Sequence, residues 1–210
     1  MSPRTPRAAI LALAALGLCA GCERPRVPNA TAEQPAAAKS AQSPPAEAAP
    51  AVELTTLDYD GILRLVESKR GKVVVMDAWS TSCAPCIQEF PKLVALHERY
   101  GPRGVACISL SFDYDGESVV RMEVIRERVL DFLCKQRAAF DNVISSEESD
   151  DLYRKFHLAS IPAVFVYDRQ GKLRERFDNV HAHSKAEMFN YEQVEKLVQD
   201  LLEEKNPPAE

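Results

Sequence analysis

Only four histidines occur in the 210 residues, none at finger-like spacing, and beyond the N-terminal apolar stretch, where Cys19 and Cys22 share the spacing, Cys83 and Cys86 form the one Cys-x-x-Cys pair. A tetrahedral metal site needs four ligands, so the pair lacks the partners that such a site demands. His181 and His183 form an H-x-H in a polar stretch that reads as a solvated loop. A membrane-spanning apolar run is missing too: the uncharged segment from Ala8 to Ala20 is too short to cross a bilayer. Basic excess is absent. Between Ala51 and Glu210, 21 Lys and Arg face 28 Asp and Glu, a balance of −7, which excludes a surface built to neutralise nucleic-acid phosphates. No internal repeat is visible, which excludes a solenoid.

What is present divides into three parts. Residues 1–21 have the form of an export signal: Arg4 and Arg7 precede the apolar run, and the small residues Ala20 and Gly21 close it. Cys22 follows Leu18-Cys19-Ala20-Gly21, which resembles the lipobox of bacterial lipoproteins, with Cys19 where that family has Leu. The resemblance implies lipidation of Cys22 and anchoring at a membrane surface; cleavage after Ala20 to release a soluble protein is the alternative. Residues 22–50 hold six Pro and nine Ala between Glu23 and Pro50 and almost no large apolar side chain, so they are expected to form a disordered tether. Residues 51–210 are long enough for one compact domain with a core.

Within that domain, helical spacing runs from Leu57 to Ser68, and Val73 to Trp79 is a short β-branched run of the kind found in a strand covered on both faces. A helix is expected over Ala84 to Tyr100, stopped by Gly101-Pro102, then a strand over Val105 to Ser111. A charged helix follows over about 118–138, then a short strand at 142–146. Ser145 and Glu148 have capping-box spacing ahead of a helix carrying Leu152 and Phe156. Ala163 to Asp168 and Lys172 to Phe177 form a hairpin, and Asn190 with Gln193 caps a last helix from Tyr191 to Glu203. Strands alternating with helices imply an α/β sandwich around a mixed sheet, with its site beyond the carboxyl ends of the parallel strands.

Cys83 falls there, at a strand-to-helix junction. A thiolate is favoured at a helix N-terminus by unpaired N–H groups and the helix dipole, and Cys86, one turn on, can close a disulfide with it. Pro85 sits in the first turn, where its missing N–H costs little. A structural staple gains most by closing a long loop, and a two-residue gap removes little chain entropy, so redox work is favoured over staple or metal half-site. Asp77 lies inside an apolar strand, where burial disfavours its charge, and it is near enough to exchange a proton with Cys86. Pro162 directly precedes an apolar strand, which suggests a tight turn with Ile161-Pro162 a candidate for the cis form. Cys107 reads as a buried small hydrophobe, and Cys134 is placed on the inner side of its helix near Leu130 and Leu133, with a Cys107–Cys134 disulfide as a minority alternative.

The run Trp79 to Pro91, with Cys83, Cys86 and Pro91, and the later Ser160-Ile161-Pro162 resemble the thioredoxin superfamily. The export signal, tether and extra helix are most similar to its TlpA-type membrane-anchored thiol-disulfide reductases. That resemblance implies a thioredoxin-like three-layer sandwich with a mixed central sheet and an inserted helix, and no cofactor besides the Cys83–Cys86 disulfide. It implies that Cys83 attacks, Cys86 resolves and Asp77 is the buried acid. Trp79 would pack beside the disulfide, Pro162 would be a cis-proline facing the cysteines, and the Ile161 backbone would pair with an extended substrate segment, the three forming the substrate-binding side. Implied partners are exported thiol or disulfide proteins, apocytochrome c among them, and a membrane electron donor, on the periplasmic or cell-surface side. Two positions depart from the pattern: Ser82 replaces a second Trp, and Ala84 a Gly.

Two rivals remain. Peroxiredoxins also carry an inserted helix, yet their Pro-x-x-x-Thr-x-x-Cys pattern is not met, since Thr81 is two residues before Cys83 with no Pro ahead of it. A tethered metal-carrier or binding module could use the same cleft without turnover.

Overall fold

The computed structural model describes residues 51–116, 121–182, 184 and 188–204. The signal, Cys22 and the tether lie outside the described residues, as does His183. No helix among the described residues is long and apolar enough to cross a membrane.

Residues Glu47–Glu210 form one unit built on a six-stranded sheet. In chain order its elements are β1 (Thr55–Leu57), α1 (Tyr59–Ser68), β2 (Val73–Trp79), α2 (Ala84–Tyr100), β3 (Val105–Ser111) and α3 (Met122–Gln136). They are followed by β4 (Asp141–Ser145), α4 (Ser149–Lys155), β5 (Ala163–Tyr167), β6 (Leu173–Phe177) and α5 (Tyr191–Glu203). The strand order is β1-β4-β3-β2-β5-β6. The pairs from β1 to β2 are parallel, and β5 and β6 add antiparallel. This is the expected α/β sandwich with a mixed sheet.

All seven residues of β2 are buried, as are all seven of β3. Alternation sends Val73, Val75 and Trp79 to one face, where they meet Phe90 and Leu93 of α2, Val129 and Leu133 of α3, and Val194 and Val198 of α5. Val74, Met76 and Ala78 face the other way, toward Ile62 and Val66 of α1 and Leu152 of α4. The two layers of helix therefore cover both faces and leave the end of the sheet that carries Trp79 as the place for a site.

Four expectations need correction. Leu57 ends strand β1, paired with Ser145, and does not open a helix; Asp58 caps α1 by accepting the Gly61 N–H. The inserted helix is Met122–Gln136, shorter than 118–138, because Arg137 takes a left-handed φ of 57°; residues 117–120 lie outside the described residues. The Ser145/Glu148 capping box does not form. Ser145 Oγ instead accepts the Glu147 N–H and donates to the Glu147 carbonyl, and Glu148 caps α4 with no side-chain bond. Finally, Cys134 is exposed, and both it and the buried Cys107 are free thiols, so they do not pair. The capping box at Asn190 and Gln193 is present as expected.

Candidate active site

The site begins with a change of backbone direction. β2 runs out at Trp79, the loop Ser80–Ser82 turns, and Cys83 takes the N-cap position of α2. The Cys86 N–H donates to Cys83 Sγ at 3.3 Å, so the sulfur occupies the place of a capping oxygen. Cys83 and Cys86 are joined in a disulfide with their Cα atoms 5.2 Å apart. Cys86 is buried and Cys83 is partly open to solvent. Across from it, Ile161-Pro162 is cis, and the Ile161 carbonyl oxygen lies 3.9 Å from Cys83 Sγ. Cys83, Pro85, Ile161, Phe112 and Tyr153 line a cleft of about 1020 Å³.

Asp77 is 3 % exposed and stands on the same face of β2 as Val75 and Trp79, between Ser109 of β3 and Val164 of β5. Burial pushes its carboxyl up to about 7, partly opposed by a hydrogen bond from the Tyr191 hydroxyl to Oδ2. Its Oδ1 has no partner among the described residues. Trp79 packs edge-on to Phe90 and is tilted against Phe132 of α3, both at 4.8 Å between centroids.

A second carboxylate, which sequence reasoning missed, holds the redox loop. Asp113 is buried just past the end of β3 and accepts from the Thr81 N–H at 3.0 Å, the Thr81 hydroxyl and the Ser111 hydroxyl at 2.7 Å. Arg128 of α3 reaches it from the solvent side at 3.3 Å. Asp113→Ala leaves the loop amide and hydroxyls without an acceptor. That should cost about 3 kcal/mol, lowering Tm by about 6–12 °C in calorimetry. Arg128→Gln, whose side chain is half-exposed, should cost under about 1 kcal/mol. An unchanged Tm for Asp113→Ala would show that the loop is held elsewhere.

The sequence-predicted residues Cys83, Cys86, Ile161 and Pro162 thus meet at one edge of the molecule, with Asp77 and Trp79 packed beneath. Tyr191 and Asp113 join them without warning from the sequence: the capping box locates Tyr191 at a helix start, but nothing along the chain says that this ring points into β2. Among the described residues no group of three or more His, Cys, Asp and Glu is placed to hold a metal ion.

Residues 45–176, well over half of the chain, match the AhpC/TSA family. The chain belongs to the AhpC/TSA family. Among its curated relatives, the thiol-disulfide oxidoreductase ResA of Geobacillus thermodenitrificans is 26% identical over 118 residues, 56% of this chain and 61% of that protein. The ResA of Bacillus anthracis is 24% identical over 119 residues, 57% of this chain and 62% of that protein. The match therefore spans about three fifths of the length of these curated relatives. Among solved structures, a thiol-disulfide isomerase from Corynebacterium glutamicum aligns over 76% of this chain and all of its own, at 20% identity and a TM-score of 0.53. That likeness establishes the thioredoxin-like fold for this AhpC/TSA member.

Proposed function

We propose that the protein is a thiol-disulfide oxidoreductase that reduces disulfides of exported partner proteins. The observation that carries this reading is a sulfur at the N-cap of α2, partly exposed beside the Ile161 carbonyl and bonded to a buried neighbour one turn along. In the reduced enzyme the Cys86 N–H and the positive end of the helix favour a Cys83 thiolate. That thiolate attacks a partner disulfide; a Cys83–partner bond forms and the other partner sulfur leaves as thiolate. Cys86 then loses its proton to Asp77 and attacks Cys83 Sγ. The Cys83–Cys86 bond forms, the mixed disulfide breaks, and the second partner sulfur leaves carrying the electron pair. The partner has gained two electrons and the enzyme has lost two.

The cleft offers room for an extended client segment along Ile161, and the missing second Trp at Ser82 leaves its floor more polar than the family pattern implies. Export through residues 1–21, a lipid anchor at Cys22 and re-reduction by a membrane electron donor complete the reading.

Equilibration of the Cys83–Cys86 pair with glutathione buffers tests the direction. A reduction potential near about −270 mV is expected for a reductase, whereas a value near about −120 mV would make the protein an oxidant. Consumption of hydrogen peroxide that outpaces disulfide reduction would replace this reading with a peroxidase.

A further inference from the structure

Tyr191 is the first residue of α5, held there by the capping box of Asn190 and Gln193 and by an Asn179 side chain that accepts the Phe189 N–H. Its ring is buried in the helical layer that covers β2, 114 residues away from Asp77 in sequence, and its hydroxyl donates to Asp77 Oδ2. Few groups share this enclosure. Glu89 of α2 adds a like charge to Asp77, Cys107 of β3 is a buried thiol whose ionisation is pushed far up, and Val164 of β5 is apolar. No cation among these groups compensates the carboxylate, and the phenol is the group that donates to it. Oδ1 is left without a partner among the described residues.

We propose that Tyr191 is a positioning residue of the redox centre: its hydroxyl fixes Asp77 by Oδ2 and thereby directs the exchangeable proton of that carboxyl to Oδ1. The inference rests on the reading of Asp77 as the proton acceptor of Cys86. With one oxygen committed as a hydrogen-bond acceptor, the proton that leaves Cys86 arrives on the other, and the donor stabilises the carboxylate that must be present beforehand. Tyr191 touches neither the reacting sulfurs nor the client. It acts through Asp77.

The test uses the single tryptophan of the chain. Trp79 packs in the same buried cluster as Cys86, so its fluorescence follows closure of the Cys83–Cys86 bond; Cys107 of that cluster is 1 % exposed and out of reach of glutathione. The reduced full-length protein is mixed with saturating oxidised glutathione, and the rate of the unimolecular resolving phase is recorded from pH 5 to 9. The wild-type rate should rise with pH about a midpoint near 7, where Asp77 ionises. Tyr191→Phe removes a hydrogen bond to the charged form and should move that midpoint upward by about one pH unit. Fluorotyrosine at position 191 keeps the ring and the bond but donates more strongly, and should move it downward. In an Asp77→Asn background neither change at 191 should alter the profile.

A midpoint unmoved by both substitutions, or an effect of Tyr191→Phe that persists with Asp77→Asn, overturns the proposal. Should Tyr191→Phe not fold, the fluorotyrosine protein decides alone. A wild type whose pair is never oxidised by glutathione would instead sink the proposed function itself, so the two failures are distinguishable.

Discussion

Cys86→Ser is expected to accumulate mixed disulfides with client proteins, while Cys83→Ser accumulates none. The asymmetry follows from the placement of the two sulfurs. Cys83 is partly exposed at the lip of the cleft and receives the Cys86 N–H, whereas Cys86 is 2 % exposed and packs with Trp79 and Phe90. A client disulfide can reach the first and not the second. Without Cys86 the Cys83–client bond has no intramolecular route to break, and it persists until an outside thiol arrives. Either substitution should reduce multiple turnover by at least about a thousandfold, as removal of one member of a nucleophilic centre does. Non-reducing gels of extracts from cells making each variant, followed by mass spectrometry of the adducts, separate the two cases. Equal trapping by Cys83→Ser would mean that the nucleophile has been misassigned.

Asp77→Asn should stabilise the protein above neutral pH by up to about 4 kcal/mol, and the gain should vanish near pH 4. The folded-state carboxyl ionises near 7 against 3.8 in the unfolded chain, because burial disfavours the charge. Between those values the folded protein binds more protons than the unfolded one, so stability falls as pH rises. Each pH unit in that interval removes about 1.4 kcal/mol, which sets the size of the loss. Its full extent is reached once pH passes the folded-state value. Asparagine keeps the shape and still accepts from Tyr191, but it never ionises. Urea titrations at pH 4, 6 and 8 should show wild type and variant converging at the acidic end and diverging at the basic end. Parallel curves at all three pH values would mean that Asp77 is solvated or paired in solution. The same substitution should slow resolution by Cys86, so a gain in stability and a loss in rate are expected together.

The central elements are legible because local and global signals agree there. β2, α2 and β3 have the bounds that apolar runs and breakers assign, since a strand buried on both faces must be apolar throughout and Gly101-Pro102 can only end a helix. β1 escapes such a reading because three residues pairing at a sheet edge leave no periodicity of their own; its partner, Val143 to Ser145, lies almost ninety residues away. The Ser145/Glu148 spacing misleads for a local reason: Ser145 spends its hydroxyl on Glu147, two residues on, before a helix can use it. The neighbouring Leu133 suggests an inward Cys134, yet one residue is about a quarter of a helical turn and suffices to change faces. Cys83, Cys86 and Pro162 announce themselves by spacing. Tyr191 could not, and neither could the hold of Asp113 on Thr81, because those partners meet only when distant segments are brought together.

The helix between β3 and β4 bears on how such proteins could be shortened or recombined. Arg128 and Phe132, one turn apart on α3, both reach the region before Cys83: the first ends on Asp113, the second on Trp79. A graft that carried only β2, the loop and the cysteines into a smaller scaffold would bring across an indole with one wall gone and a Thr81 amide and hydroxyl without their acceptor. The transferable unit of this chemistry is therefore the sulfur pair together with its insertion, two stretches of chain separated by the rest of α2 and the whole of β3.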